Sequence, residues 1–137
     1  MDLIKPLTEL DVSASLTMFR AIFDEDEEPY FLIAWRSREI GLGVWSASRL
    51  IAAVIVCKNK LEYIFVGEPF RKLGIGSLLL KEVIRLKPAL YLVPVQSPEV
   101  FTWYEKHGFH RDTRRDGTVL FVRYPYALRS KRASTPS

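Results

Sequence analysis

The sequence predicts one α/β (α+β) layered domain, and three observations carry that prediction. Apolar periodicity changes along the chain in the order strand, two helices, three strands, helix, strand, helix, hairpin. Residues 50–57 are apolar on both faces, the mark of a central strand. A strand-like run at residues 61–66 leads through a basic, glycine-bearing loop into a helix-like run at residues 77–86. The 137 residues suffice for one core and not for two, and no linker divides them. A single domain is therefore expected over residues 1–126, followed by a basic, flexible tail at 127–137.

Each element has its own signal. Residues 4–7 read as a short first strand ending at Thr8. Asp11 or Ser13 is placed to cap a helix over residues 12–23, in which Val12, Leu16, Phe19 and Phe23 share one face. The acidic run and Pro29 end it, and residues 30–38 form a second, short helix. Residues 40–45 and 50–57 are strands joined by a turn at Ser46, Ala47 and Ser48. Another turn, at Lys58, Asn59 and Lys60, leads to the strand at 61–66. In the next helix Ile75, Leu79, Val83 and Leu86 fall on one face, and Pro88 stops it. Residues 90–95 are again extended, with Pro94 removing a ladder donor. Pro98 opens a helix to about His107, which Gly108 closes. Residues 109–113 and 118–124 alternate around Asp116-Gly117, a tight-hairpin signal.

Composition narrows the class. Hydrophobic residues are 48% and charged residues 26%, the balance of a soluble globular protein, and no apolar run approaches the ~20 residues of a membrane span. The start of the chain does not read as a signal peptide. Cys57 is the only cysteine, which excludes an intramolecular disulfide and fits a reducing, cytoplasmic setting; its apolar surroundings mark it as a small buried hydrophobe. The formal charge of +4 is uneven. Asp24, Glu25, Asp26, Glu27 and Glu28 form one acidic block. Arg111, Arg114, Arg115, Arg123, Arg129, Lys131 and Arg132 make the C-terminal part basic, suited to phosphate-bearing partners.

The most informative stretch is Val66-Gly67-Glu68-Pro69-Phe70-Arg71-Lys72-Leu73-Gly74-Ile75-Gly76-Ser77. Amides at a helix start lack intrahelical partners and sit at the positive end of the dipole, so they bind anions. Gly74 and Gly76 let backbone approach closely, and Arg71 and Lys72 add charge. A P-loop would need Lys-Ser or Lys-Thr after the second glycine, and a Rossmann turn would need a third glycine; neither is present.

Arg71-Lys72-Leu73-Gly74-Ile75-Gly76 resembles the Q/R-x-x-G-x-G/A signature of the GCN5-related N-acetyltransferases (GNAT). Trp103-Tyr104-Glu105-Lys106-His107-Gly108-Phe109 resembles that family's later aromatic-Tyr-x-x-x-Gly-Phe segment. One helix and one strand separate the two motifs, as in the family, and residues 4–11 resemble its usual opening. Lys72 stands where many members have glycine, and Pro69 lies one position later than the commoner Val-x-Pro order.

The resemblance implies a central, mostly antiparallel mixed sheet flanked by helices, with the strands at 61–66 and 90–95 splayed around an acyl-CoA cleft. It implies acetyl-CoA as cofactor, with the pyrophosphate on the amides of residues 73–77. Phe65, Val66, Arg71, Lys72, Leu73, Gly74, Ile75, Gly76, Ser77, Gln96 and Trp103 are the implied cofactor-binding residues. It implies direct attack by an amine on the thioester, Tyr104 as the acid for the departing sulfur, and the Val66 amide, at an expected bulge, as oxyanion donor. Glu62 is the candidate base, since strand parity puts it on the face of Val66. His107 and His110 are secondary candidates, and an ordered water is an alternative. No metal-ligand cluster is apparent.

In this fold the connection between the first helices walls the acceptor site. Asp24, Glu25, Asp26, Glu27 and Glu28 there, with Tyr30, would attract a cationic amine such as a polyamine or a lysine side chain. Phe31 and Trp35 either line the pocket or pack in the core. The chain is expected to work as monomer or homodimer. Two other readings are a catalytically silent CoA-binding module and a nucleic-acid-associated protein using the basic C-terminal surface.

Overall fold

A computed structural model describes residues 3–124 of the 137. The chain divides after Val83 into two compact units, so the residues expected to form one domain are described in two parts. The tail at 127–137, with Arg129, Lys131 and Arg132, lies outside the described residues. No described helix is long and apolar enough to cross a membrane.

In the first unit, strands β1 (Leu3–Pro6), β2 (Ile40–Ser46), β3 (Arg49–Cys57) and β4 (Lys60–Val66) pair antiparallel in that order. Helices α1 (Val12–Ile22) and α2 (Glu28–Ser37) lie between β1 and β2 in sequence, and α3 (Ile75–Leu86) follows β4. β3 pairs on both edges and buries Ile51, Ala52, Ala53, Val54, Ile55 and Val56, as its two-sided apolar pattern requires.

α1 and α2 pack on the β3 face that carries Ala53 and Ile55. Phe19 stacks on Phe23 (4.5 Å) and Phe31 (4.4 Å), while Tyr63 and Phe65 of β4 meet it edge-on. Each such pair adds about 0.5–1.5 kcal/mol beyond its burial. Phe31 and Trp35 are core residues and Tyr30 is 65% exposed, so only Tyr30 of the three is available to a ligand.

Several boundaries differ from expectation for identifiable reasons. The Asp11 carboxylate turns back to accept the Thr8 amide (2.7 Å) and so closes the preceding 3-10 turn (Glu9–Asp11) instead of capping α1. Pro29 stands in the first turn of α2, where its missing N–H costs nothing, so it helps start that helix and does not end α1. α3 begins at Ile75, two residues before the expected start, and Leu86 is 47% exposed at its end. Ala47 and Ser48 both take positive φ (50° and 66°) in the β2–β3 turn, the sense a two-residue hairpin needs.

The second unit holds β5 (Leu90–Leu92), α4 (Pro98–Lys106), β6 (His110–Thr113) and β7 (Val119–Arg123). β7 pairs antiparallel with both β5 and β6. β5 stops before Pro94, shorter than the six residues expected, and Val93 and Val95 are exposed. Gly108 takes φ +87°, and the Phe109 amide returns to the Tyr104 carbonyl (3.2 Å), the glycine-closed end expected of α4. The β6–β7 loop is a turn at Arg114–Gly117 (Gly117 N–H to Arg114 O, 2.9 Å), with Gly117 at φ +87° and Asp116 accepting the Thr118 amide (2.9 Å).

Ser15 of α1 is fully buried and its hydroxyl has no hydrogen-bond partner among the described residues, whereas Thr17 bonds back to the Ser13 carbonyl (2.9 Å). An unmatched buried hydroxyl costs free energy, and alanine is the better helix former. Ser15→Ala is expected to stabilise the fold by about 1 kcal/mol and raise Tm by a few degrees. Thermal unfolding followed by circular dichroism checks this; a lower Tm would mean the hydroxyl is satisfied.

Candidate active site

The site is built from the exit of β4. Val66 lies opposite Ala52, and the next amide, Gly67 N–H, donates to the Ile51 carbonyl (2.8 Å). Antiparallel pairing alternates, so the N–H and C=O of Val66 point away from β3. The Val66 carbonyl accepts Arg71 Nε (3.1 Å). A 3-10 turn (Glu68–Phe70) follows, closed by Phe70 N–H on the Gly67 carbonyl (2.9 Å).

The chain then takes two left-handed steps, Lys72 at φ +66° and Gly74 at φ +80°. Lys72 therefore adopts the conformation that glycine would supply there. The first helical bond of α3 runs from Leu78 to Gly74 (3.0 Å), so the amides of Ile75 and Gly76 precede the helical ladder. A Cβ at Gly74 would meet no described residue within 4 Å, so there is open space beside Gly74. Arg71, Lys72 and Leu73 are exposed, while Ile75 is buried. This entrance has the amides, the space and the positive charge that a pyrophosphate group requires.

Not every implied cofactor residue presents its side chain. Phe65 is 5% exposed and locked among Phe19, Phe23 and Phe31, so it can offer only backbone. Gln96 is exposed, and its amide donates to the Pro94 carbonyl (3.1 Å). Trp103 is half-buried against Tyr104 (4.8 Å) and His107 (5.1 Å). His107 ends α4 and His110 is exposed on β6.

Tyr104 is buried within its unit, its ring against Phe109 (5.4 Å) and Phe121 (5.9 Å). Burial pushes its phenol up to about 12.

Strand alternation does not tie Glu62 to the face of Val66. The register shifts from Ile55↔Tyr63 to Val56↔Leu61, so Glu62 is the extra residue of a β-bulge and the two-residue alternation breaks there. Val66 lies in a regular stretch, so the bulge expected at Val66 is at Glu62 instead. The Glu62 carboxylate pairs with Lys60 (3.1 Å). Burial and then the Glu62 charge push the Cys57 thiol up.

The acidic block is only partly available. Glu28 takes a two-pronged bond from Arg20 (2.6 and 3.1 Å), which holds its carboxyl below the usual range. Glu27 accepts the Tyr63 hydroxyl (3.3 Å). Asp24, Glu25 and Asp26 remain exposed. The basic surface is also partly spent. Arg123 donates to the His107 and Pro88 carbonyls (both 3.0 Å), and Arg111 lies over Phe101 (4.8 Å).

Tyr63 was not singled out in the sequence. Its signal was a phenol at a core position of a strand, whose polar tip needs a partner. Burial, then the charge of Glu27, pushes that phenol up to about 12. Below pH 10 Tyr63 and Tyr104 are neutral in both folded and unfolded chains, so neither contributes a pH dependence. Between pH 10 and 12 the unfolded chain ionises first. Stability is therefore expected to fall across that window, with two phenols appearing late in the ultraviolet phenolate titration. Tyr63→Phe and Tyr104→Phe should each flatten the fall; an unchanged profile would contradict the assignment.

No protein-family model matches this chain, and no curated protein matches it. Solved structures do. The chain is similar to the PaiA N-acetyltransferase of Thermoplasma acidophilum in complex with coenzyme A, with a TM-score of 0.69 and 20% identity over 90% of this chain and 99% of that one. It is similar to the ribosomal-protein-S18-alanine N-acetyltransferase of Escherichia coli (TM-score 0.68, 19% identity, 89% and 90% covered). A GNAT family acetyltransferase of Elizabethkingia anophelis with acetyl-CoA bound gives 0.69 at 16% identity, covering 90% and 98%. These likenesses show that the chain has the α/β fold of the GNAT acetyltransferases.

Proposed function

We propose that this chain is an acyl-CoA-dependent N-acetyltransferase that moves an acetyl group from acetyl-CoA to a primary amine by direct attack. The observation that carries the reading is the entrance of α3. It joins an outward Val66 amide, a left-handed Lys72, an open Gly74 and the Ile75 and Gly76 amides in one short loop. That solved neighbours of this fold hold coenzyme A or acetyl-CoA supports the cofactor.

In this mechanism the thioester supplies an activated acyl group. The α3 entrance, with Arg71, Lys72 and the backbone from Leu73 to Ser77, binds the pyrophosphate. The Val66 N–H donates to the acyl oxygen as it gains charge. Tyr104, a neutral phenol, donates a hydrogen bond to the departing sulfur. Glu62 or an ordered water takes the amine proton, and for Glu62 that means competing with Lys60.

The proposed acceptor is cationic, drawn by Asp24, Glu25 and Asp26 with Tyr30 beside them. A peptide α-amine is the second reading, because one structural neighbour is described as an alanine N-acetyltransferase of a ribosomal protein. The test measures thiol release from acetyl-CoA with polyamines, lysine peptides, aminoglycosides and peptides with a free N-terminus. Glu25→Gln with Asp26→Asn is expected to raise KM for polyamines about fivefold with little change in kcat. Tight CoA binding with no turnover on any amine would favour a silent CoA-binding module, and failure to bind CoA would end the proposal.

A further inference from the structure

The bond from Arg71 to the Val66 carbonyl gives this arginine a task other than charge. Residues 66–71 form a closed turn. Gly67 N–H is held by Ile51, Phe70 N–H by Gly67 and Arg71 N–H by Glu68 (3.3 Å), and the Arg71 side chain returns to the Val66 carbonyl. In an antiparallel strand the N–H and C=O of one residue point the same way. The carbonyl that Arg71 holds therefore flanks the Val66 N–H.

We propose that Arg71 is a positioning residue: its Nε–H struts the exit of β4 and so aims the Val66 amide. This rests on the acetyltransferase reading, in which that amide meets the acyl oxygen. A pure phosphate ligand would have no need of its Nε, the innermost guanidinium nitrogen, on a backbone carbonyl of its own loop. The donor is also close to the chain, four bonds from Cα, which makes it a short and stiff tie.

Bond topology provides the test. Glutamine places its amide nitrogen at the same number of bonds from Cα as arginine Nε, so Arg71→Gln keeps a donor at that place and loses the charge. Lysine places a methylene there and its ammonium one bond further out, so Arg71→Lys keeps the charge and loses the donor at that position. Arg71→Gln is expected to raise KM for acetyl-CoA about threefold through lost charge and to hold kcat near wild type. Arg71→Lys is expected to lower kcat about tenfold, with KM for acetyl-CoA little changed.

Amide hydrogen exchange on the free protein is the second readout. Exchange at Gly67 and Phe70 should quicken in Arg71→Lys and not in Arg71→Gln. If Arg71→Lys matches wild type in kcat and in exchange, or suffers no more than Arg71→Gln in both, the strut is overturned and Arg71 is a charge for the phosphates. If wild type itself transfers no acetyl group, the acetyltransferase reading fails, and the exchange comparison alone decides the strut.

Discussion

Gly74→Val is expected to weaken coenzyme A binding by at least about 100-fold in calorimetry, about 2.8 kcal/mol. Two effects combine. Gly74 sits at φ +80°, where a side chain costs about 1–2 kcal/mol and a β-branched one more. A Cβ there would meet no described residue within 4 Å, so on the proposed site the added side chain would compete with the ligand for space beside the loop. Gly74→Asn separates the two effects, because asparagine tolerates the left-handed region. Its fold should survive within about 1 kcal/mol of wild type, while binding still falls by tenfold or more. A Gly74→Asn protein that binds coenzyme A like wild type would remove the α3 entrance from the cofactor site.

The contrast between Gly74 and Lys72 shows how far the loop was legible. Two glycines before a helix suggested an anion site, and one of them, Gly74, is left-handed in the structure. The other left-handed residue of the loop is Lys72, marked in the sequence only by standing where many members of the resembled family have glycine. Element types were read correctly from periodicity because burial enforces it. Phe19, Leu79 and Val83 had to face a core, and β3 had to be central. Boundaries were less legible where a single side chain decides them, as with the Asp11 carboxylate that serves Thr8 and the Pro29 that opens α2.

The site residues divide along the same line. The backbone role proposed for the Val66 amide needs only strand alternation and a turn. The side-chain role proposed for Glu62 loses its support from parity, because one extra residue in β4 cancels the alternation and leaves Glu62 beside Lys60. Nothing in residues 60–66 taken alone signals that bulge. The acidic block was legible as charge but not as structure. Its pairing with Arg20 and Tyr63 depends on where α1 and β4 bring those partners.

Tyr104→Phe is expected to lower kcat by about 100-fold while leaving coenzyme A affinity and Tm nearly unchanged. Packing is retained because the ring contacts with Trp103, Phe109 and Phe121 need no hydroxyl. The size of the kinetic effect follows from the phenol's acidity. Burial raises its pKa to about 12, well above an ordinary thiol, so full proton transfer to a thiolate would be uphill. Tyr104 on this reading donates a hydrogen bond that strengthens as the sulfur gains charge, and the proton stays on the phenol. The loss should then resemble removal of one transition-state donor, and the wild-type kcat profile should show no alkaline limb from this group below pH 12. A chemical step unchanged in the Phe variant, measured by single-turnover release of thiol, would leave Tyr104 with a packing role only.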